Sequence, residues 1–380
     1  MSGILILRLS AIGDVAMTVH AVRALRAAYP DLPITIGTRE RLSGFFNDVP
    51  NVQFLYFPKQ AAFRELRSYV SVSKALKFDY VADLQSNLRT GYIRAMLALS
   101  GCKTAAYAQK TVAKWRIKRR FCKRLQPVRN NVLRFCDVFA KLGFPVPDPK
   151  IVRKVLPVPS CFGSKEGTWI GIAPFSRKEK KIYPLDSCSE LIRLVSLRFD
   201  KVFVFSGPGE ELNYCESMMR LYPNVETVFG RTDLAGETAL ISNLDALVTM
   251  DSATMHMATL TGAPFVAVWG GTHPATGYSA YGADWDKNYV QLDMPCRPCS
   301  SYGEGNCRFG DFRCLMGISP DTILSKITAL IGYEAPDPDS GSDSSNGSCA
   351  AVGSVVAPSS SDDRSCSDSH NWPSGSNANS

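Results

Sequence analysis

The sequence predicts an α/β protein made of two doubly wound domains in tandem. Three observations carry this. Short apolar runs alternate with segments of helical periodicity through most of the chain. The alternation breaks once, at a Pro-rich stretch, and then restarts. The 380 residues, 45% apolar and 21% charged, have ordinary globular composition and enough length for two cores, which excludes a fibrous or wholly disordered chain.

The elements follow in order. Ile4–Leu9 reads as the first strand, and Val15–Ala28 as a helix closed by Tyr29-Pro30. Ile34–Gly37 and Val52–Phe57 read as strands, Ala61–Leu76 as a helix, Tyr80–Leu84 as a strand and Leu88–Leu99 as a helix. Such alternation implies parallel strands with helices on both faces. Phe144–Gly167 then carries Pro145, Pro147, Pro149, Pro157 and Pro159 with no long periodic run, a linker composition. Beyond it, strands are expected at Trp169–Ala173, Val202–Ser206, Glu226–Phe229, Ala246–Met250 and Phe265–Trp269. Helices are expected at Leu185–Arg198, Glu210–Leu221, Leu234–Asn243 and Ser252–Thr261. The expected bounds are 1–155 for the first domain, 156–168 for the linker and 169–333 for the second domain. Residues 334–380 form a Ser-rich tail, expected to be disordered because it has 15 Ser in the 45 residues from Pro336 and few large apolar side chains. Ligands of such sheets bind beyond the carboxyl ends of the strands, so the natural site is a cleft between two facing sheets.

Charge and cysteine usage narrow the class. The net charge of +8 hides a tail of −6, which leaves +14 on the body and points to an anionic partner. No apolar run approaches the roughly 20 residues of a membrane span, and the first residues read as a strand rather than a signal peptide. The 12 cysteines are mostly scattered through apparent core elements, and the expectation is reduced thiols in a cytoplasmic protein.

Six segments can carry chemistry. Arg8 to Asp14 lies where the first strand turns into the first helix. Gly13 permits close backbone approach there, Ser10 and the helix start offer donors to an anion, and Asp14 is placed to be a general base or a helix cap. Met250 to Ala258 again joins strand to helix. Its Asp251, Ser252, Ala253 and Thr254 can form a phosphate-binding turn, with His256 one helical turn in. Ala173–Pro184 leaves a strand end with Ser176 and the cations Arg177, Lys178, Lys180 and Lys181, a clamp for phosphates or a solvated charge run. Ser206–Glu211 is a Gly-rich turn whose Glu210 or Glu211 can hold a ribose diol. Lys110–Arg134 holds ten Lys or Arg and no acid, among them Arg116, Lys118, Arg119 and Arg120, with Trp115 and Phe121 interleaved. Such a stretch suits an anionic lipid surface, a phosphorylated acceptor or RNA. Finally, Cys296, Cys299, Cys307 and Cys314 fall within 19 residues and can close around a structural zinc. Asp284-Trp285-Asp286 imitates an Asp-x-Asp metal motif but sits in a polar loop with no strand before it.

In this order the segments resemble glycosyltransferase family 9, the bacterial lipopolysaccharide heptosyltransferases. The opening Ile-Leu-Ile-Leu-Arg-Leu-Ser-Ala-Ile-Gly-Asp-Val is similar to that family's first strand and turn. Met250–Ala258 resembles its Asp-[ST]-Gly-x-x-His-x-Ala motif with Ala253 in place of Gly, and Lys181-Ile182-Tyr183-Pro184 resembles its Lys-x-Trp-Pro segment with Tyr in place of Trp. The resemblance spans about Ile4 to Ile331. It implies a GT-B fold, two facing Rossmann-like domains with acceptor on the first and donor on the second. It further implies inversion at the anomeric carbon without a catalytic metal or other required cofactor. By the same resemblance Asp14 is the base, Lys181 contacts the donor diphosphate, Asp251, Ser252 and His256 shape the donor pocket, and Glu210 or Glu211 binds the ribose. The partners implied are an ADP-sugar, expected to be ADP-heptose, and a phosphorylated glycolipid of the lipopolysaccharide core. Peripheral contact with the anionic inner face of the cytoplasmic membrane is expected, and no nucleic acid. The rival readings are another sugar nucleotide, a sugar-nucleotide epimerase on the same fold, and a nucleic-acid binder working through 110–134.

Overall fold

The computed structural model describes residues 3–58, 63–108 and 127–333. Its first strand, β1 (Gly3–Leu7), is buried at every position, as a strand covered on both faces must be. It is followed by α1 (Ile12–Ala28), β2 (Ile34–Thr38), a 3-10 turn (Glu40–Phe46), β3 (Val52–Tyr56), α2 (Phe63–Ala75), β4 (Phe78–Asp83), α3 (Leu88–Ala98), β5 (Lys103–Ala106) and α4 (Asn131–Leu142). These five strands form one parallel sheet of order β3-β2-β1-β4-β5. Along β1, Ile4 to Leu7 pair with Ile34 to Gly37 on one side, and Tyr80 to Asp83 on the other.

The second sheet begins at β6 (Trp169–Ala173). It continues through α5 (Leu185–Ser196), β7 (Lys201–Val204), α6 (Glu210–Leu221), β8 (Val225–Thr227), α7 (Leu234–Asn243), β9 (Ala246–Met250), α8 (Ala253–Thr261) and β10 (Phe265–Trp269). The short α9 (Trp285–Asn288), β11 (Tyr289–Gln291), the short α10 (Arg313–Met316) and α11 (Pro320–Ile331) complete it. The strand order is β11-β10-β9-β6-β7-β8, with all recorded pairings parallel. The order reverses between β1 and β4 in one sheet and between β6 and β9 in the other, and such switch points open a crevice at the strands' carboxyl ends.

Most expected elements form within a few residues of their bounds. Those without an expected range are the 3-10 turns at 40–46, 160–162, 179–181 and 274–276, β5, α4, α9, β11, α10 and α11. The polar Asp284 caps α9, its Oδ1 accepting from the amides of Asp286 and Lys287. The Pro-rich stretch 144–167 contains a single 3-10 turn, Ser160–Phe162. It is stitched to the second sheet's helices, Lys154 N–H donating to Thr261 O and Leu156 N–H to Ser242 Oγ. The tail expectation falls on residues outside those described, as do Arg116, Lys118, Arg119, Arg120, Trp115 and Phe121. Among the described residues no helix is long and apolar enough to cross a membrane.

Both sheets lie in one compact unit, Met1–Glu334, joined along α1 and α8. Helix α1 is buried almost all round because it packs against α4 on its own side and α8 across the seam. Polar groups register the two helices. His20 Nε2 lies 2.9 Å from Thr259 Oγ1, and Arg23 donates to Leu260 O at 2.8 Å. Burial pushes the His20 imidazole down to about 3, so it is neutral at the seam. Gly13 is required here. A Cβ on it would stand 2.9 Å from His256 Cδ2 and 3.2 Å from Ala253 Cα.

Candidate active site

The two switch points face one another across a cleft of about 680 Å3. Its first-half wall starts at the carboxyl end of β1. Arg8 is buried there and donates to Leu84 O, and its other amino group lies 2.8 Å from Asp14 Oδ2. The same oxygen accepts from Ala11 N–H at 3.3 Å. Asp14 therefore does cap α1, and the capping and functional readings coexist on one carboxylate. Oδ1 has no hydrogen-bond partner among the described residues, while the residue lines the cleft.

The turn that carries Asp14 is held from across the sheet. Gln85, just past β4, accepts with Oε1 from the amides of Leu9 and Ser10, both at 3.0 Å, and its Nε2 donates to Ser10 Oγ at 3.3 Å. Asp83 in turn accepts from Gln85 N–H and Ser86 N–H.

The second-half wall is built at the ends of β6, β7 and β9. Lys181 is buried, and its Nζ lies 2.8 Å from Asp251 Oδ2. Thr272 Oγ1 donates to the same oxygen at 2.7 Å. The segment before Lys181 turns as a 3-10 helix, Glu179–Lys181. The one after it is pinned by buried Tyr183, whose hydroxyl donates to Ile318 O at 2.7 Å. The cationic run is thus no solvated face. Arg177 and Lys178 line the cleft, Lys181 meets Asp251, and Lys180 turns away to donate to Glu304 O.

At the next turn α8 opens behind Ser252. The Ser252, Thr254 and Thr249 hydroxyls form a connected cluster, and Ser252, Ala253 and Thr254 line the cleft. The free amides of that helix start suit an anion. Ser176 Oγ reaches Asp251 O at 3.4 Å. His256 is buried and pushed down to about 4 by that burial, against the opposing pull of the Asp251 and Asp14 charges. Its Nδ1 has no partner among the described residues. At the end of β7, Glu211 folds back so that Oε2 accepts from Gly207 N–H at 2.6 Å, and it lines the cleft. Glu210 is exposed and does not line it. Of the two carboxylates left open by the sequence, only Glu211 is brought to the site, because Glu210, the first residue of α6, faces out.

The zinc expectation is corrected. Among the described residues no three His, Cys, Asp or Glu side chains converge to hold a metal. Cys314 is buried in the second sheet's core. Arg297 is buried within the loop, its guanidinium donating to the carbonyls of Gly270, Leu292 and Thr272. The Cys-rich loop instead reaches the cleft. Gly303, at φ +91°, lies against Lys178 and Lys181, and Tyr302 stands with its ring centre 4.9 Å from Lys181 Nζ. Tyr302 meets Tyr278 edge-on at 5.5 Å, and both line the cleft. Burial pushes the Tyr302 phenol up to about 12.

Three further guanidiniums, those of Arg39 and Arg41 beyond β2 and of Arg177 beyond β6, line the cleft from both halves. None of them is paired with a carboxylate among the described residues. Burial, then the neighbouring Arg41, Arg89 and Arg177 charges, lower the Arg39 pKa. Of the basic stretch, the described Arg129 pairs with Asp137 and Arg134 donates to Tyr107 and Ala108, so these two cations serve the fold. Gln85, Tyr278, Tyr302, Arg39 and Arg41 carry no local signal of a role. They reach the site from strand ends and loops far apart in sequence.

Two Rossmann-like halves facing across a cleft, with a carboxylate on one wall and a helix start on the other, are the architecture of the GT-B glycosyltransferases. The family model for glycosyltransferase family 9 (heptosyltransferase) matches residues 70–307, and the chain belongs to that family. It is 26% identical over 281 residues to the lipopolysaccharide core heptosyltransferase OpsX of Haemophilus influenzae, covering 71% of this chain and 79% of that protein. A family 9 glycosyltransferase structure from Veillonella parvula superposes with a TM-score of 0.67 at 21% identity, covering 87% of this chain and 97% of that one. The E. coli ADP-heptose lps heptosyltransferase II superposes with a TM-score of 0.64 at 20% identity, covering 87% and 98%.

Proposed function

We propose that the protein transfers heptose, with inversion, from ADP-heptose to a lipopolysaccharide core acceptor, with donor on the second half and acceptor on the first. The observation that carries this is the pairing of an Asp14 carboxylate that has one oxygen held and one unpartnered with the Lys181–Asp251 pair and the α8 start across the same cleft. Asp14 Oδ1 takes the proton of an acceptor hydroxyl, whose oxygen attacks the anomeric carbon from the face opposite the nucleotide. The C–O bond to the diphosphate breaks and its electron pair leaves with ADP. Lys181, oriented by Asp251, and the amides at Ser252–Thr254 take up the growing charge. Glu211 stands where a ribose diol next to those phosphates would lie. In this scheme the cationic clamp neutralises the leaving group, and no step calls on a divalent ion.

The acceptor side follows from charge. Arg39, Arg41 and Arg177 offer fork-shaped donors to a phosphorylated glycolipid. The basic stretch Lys110–Arg134 carries ten Lys or Arg and no acid. In this reading it draws the enzyme to the anionic cytoplasmic face of the membrane, where a phosphorylated glycolipid acceptor would lie. The test is incubation of the full chain with ADP-heptose and heptose-deficient core lipopolysaccharide, read by mass spectrometry. A gain of one heptosyl unit on the acceptor with release of ADP is expected. Conversion of the donor without acceptor would mean an epimerase, and transfer from a different sugar nucleotide alone would overturn the choice of donor.

A further inference from the structure

The carboxyl edge of the second sheet presents its turns in the spatial order β9, β6, β7, β8. A nucleoside diphosphate with phosphates at the α8 start and ribose at Gly207 and Glu211 spans the first three. Its base must then fall at the fourth, between β8 and α7. The residue that this turn and its helix send into the cleft is Glu237, in the first turn of α7. The Glu237 carboxyl makes no hydrogen bond or ion pair with any described residue, although it is half-buried. Its carboxyl thus faces the cleft with its hydrogen-bonding capacity unspent on the protein, and a base edge would supply the missing partner.

We propose that Glu237 reads the nucleobase, matching one donor and one acceptor to the amino and ring-nitrogen edge of adenine. This rests on the reading of the donor as an ADP-sugar. Burial, with the neighbouring Asp233 charge second, pushes the Glu237 carboxyl up to about 7, so near neutrality a large share of it carries its proton. A neutral carboxyl donates its O–H to a ring nitrogen and accepts from the exocyclic amine, as adenine requires. An ionised carboxylate only accepts, which suits the two N–H groups of guanine instead. The other titratable groups on the surrounding elements are Asp233 at the cap of α7, Arg39, Glu40 and Arg41 at the 3-10 turn packed on it, the neutral His256 on α8, and Glu211 on the same cleft.

The test is calorimetric binding of ADP and of GDP to the full chain near pH 6 and near pH 8.5, for wild type, Glu237→Gln and Glu237→Ala. The Gln amide keeps one donor and one acceptor at every pH. Wild type should prefer ADP near pH 6 and lose much of that preference near pH 8.5. Glu237→Gln should hold the preference at both, binding ADP up to about tenfold more tightly than wild type at the higher pH, the worth of one hydrogen bond. Glu237→Ala should weaken ADP near pH 6 and leave little preference; if it does not fold, the Gln variant decides alone. Because the ADP phosphates titrate equally in every arm, the comparison between variants cancels them. An ADP-to-GDP ratio indifferent to both pH and Glu237 overturns this inference while leaving the donor reading intact. Failure of wild type to bind ADP at either pH overturns the donor reading and this inference with it.

Discussion

The two halves build their walls of the site by different means. The second half uses contiguous turns. Ser252 to Thr254 sit together where β9 becomes α8, and Lys181 lies a few residues beyond β6. The first half holds its carboxylate with side chains, Arg8 from the same strand-to-helix segment and Gln85 from beyond the neighbouring strand β4 closing on the Asp14 turn. A backbone-built anion site tolerates side-chain change, because its donors are main-chain amides. A carboxylate held at one oxygen depends on each side chain that holds it.

Substitutions can break this contrast, the largest effect first. Asp14→Asn should lower kcat by about 10²–10⁴-fold, the usual worth of a general base, with ADP affinity unchanged by calorimetry. Near wild-type turnover would reduce Asp14 to a helix cap. Lys181→Ala should cost about 10²–10³-fold in turnover and also weaken ADP, since it removes a clamp and leaves Asp251 buried without its cation. Unchanged affinity and turnover would remove Lys181 from the donor site. Gly13→Ala should destabilise the fold by about 1–3 kcal/mol through overpacking against His256 and Ala253, visible as a lower Tm. An unchanged Tm would show that the seam yields. Gln85→Ala should lower kcat about tenfold with donor affinity intact, because it removes the hydrogen bonds to Leu9, Ser10 and the Ser10 hydroxyl that hold the acceptor-side turn. An equal loss in donor binding would erase the distinction between the halves.

The same contrast explains what could be read from sequence. The strands and helices were legible because each buried strand is an unbroken apolar run, as in Ile4 to Leu7, and each long helix has periodic apolar residues. The second-half site was legible because turn and helix start are adjacent in the chain. Gln85 and Tyr302 were not, since a polar side chain just past a strand and a Tyr in a Cys-rich loop gain meaning only when the fold brings them to Asp14 and Lys181. Short edge elements such as β5 and β11 lack length for a pattern, and α4 was masked by its attachment to the basic stretch. The cysteine spacing does bring the four thiols near one another, close enough for Cys314 to feel the charges of Cys296, Cys299 and Cys307, but Cys314 packs into the core and no three side chains among the described residues converge as metal ligands. Glu237 reads as one more surface acid of a helix until the cleft is found beside it.

The seam between α1 and α8 is laid out as an axle would be. The two helices run side by side from Gly13 against Ala253 and His256 to Arg23 at Leu260, and each begins at a working group of the site: Asp14 on one, the Ser252–Thr254 amides on the other. A rotation of one sheet over the other about this line would leave the gap between Asp14 and the α8 start nearly constant. Arg41 and Arg177 line the cleft from opposite halves, and the same rotation would change the distance between them more.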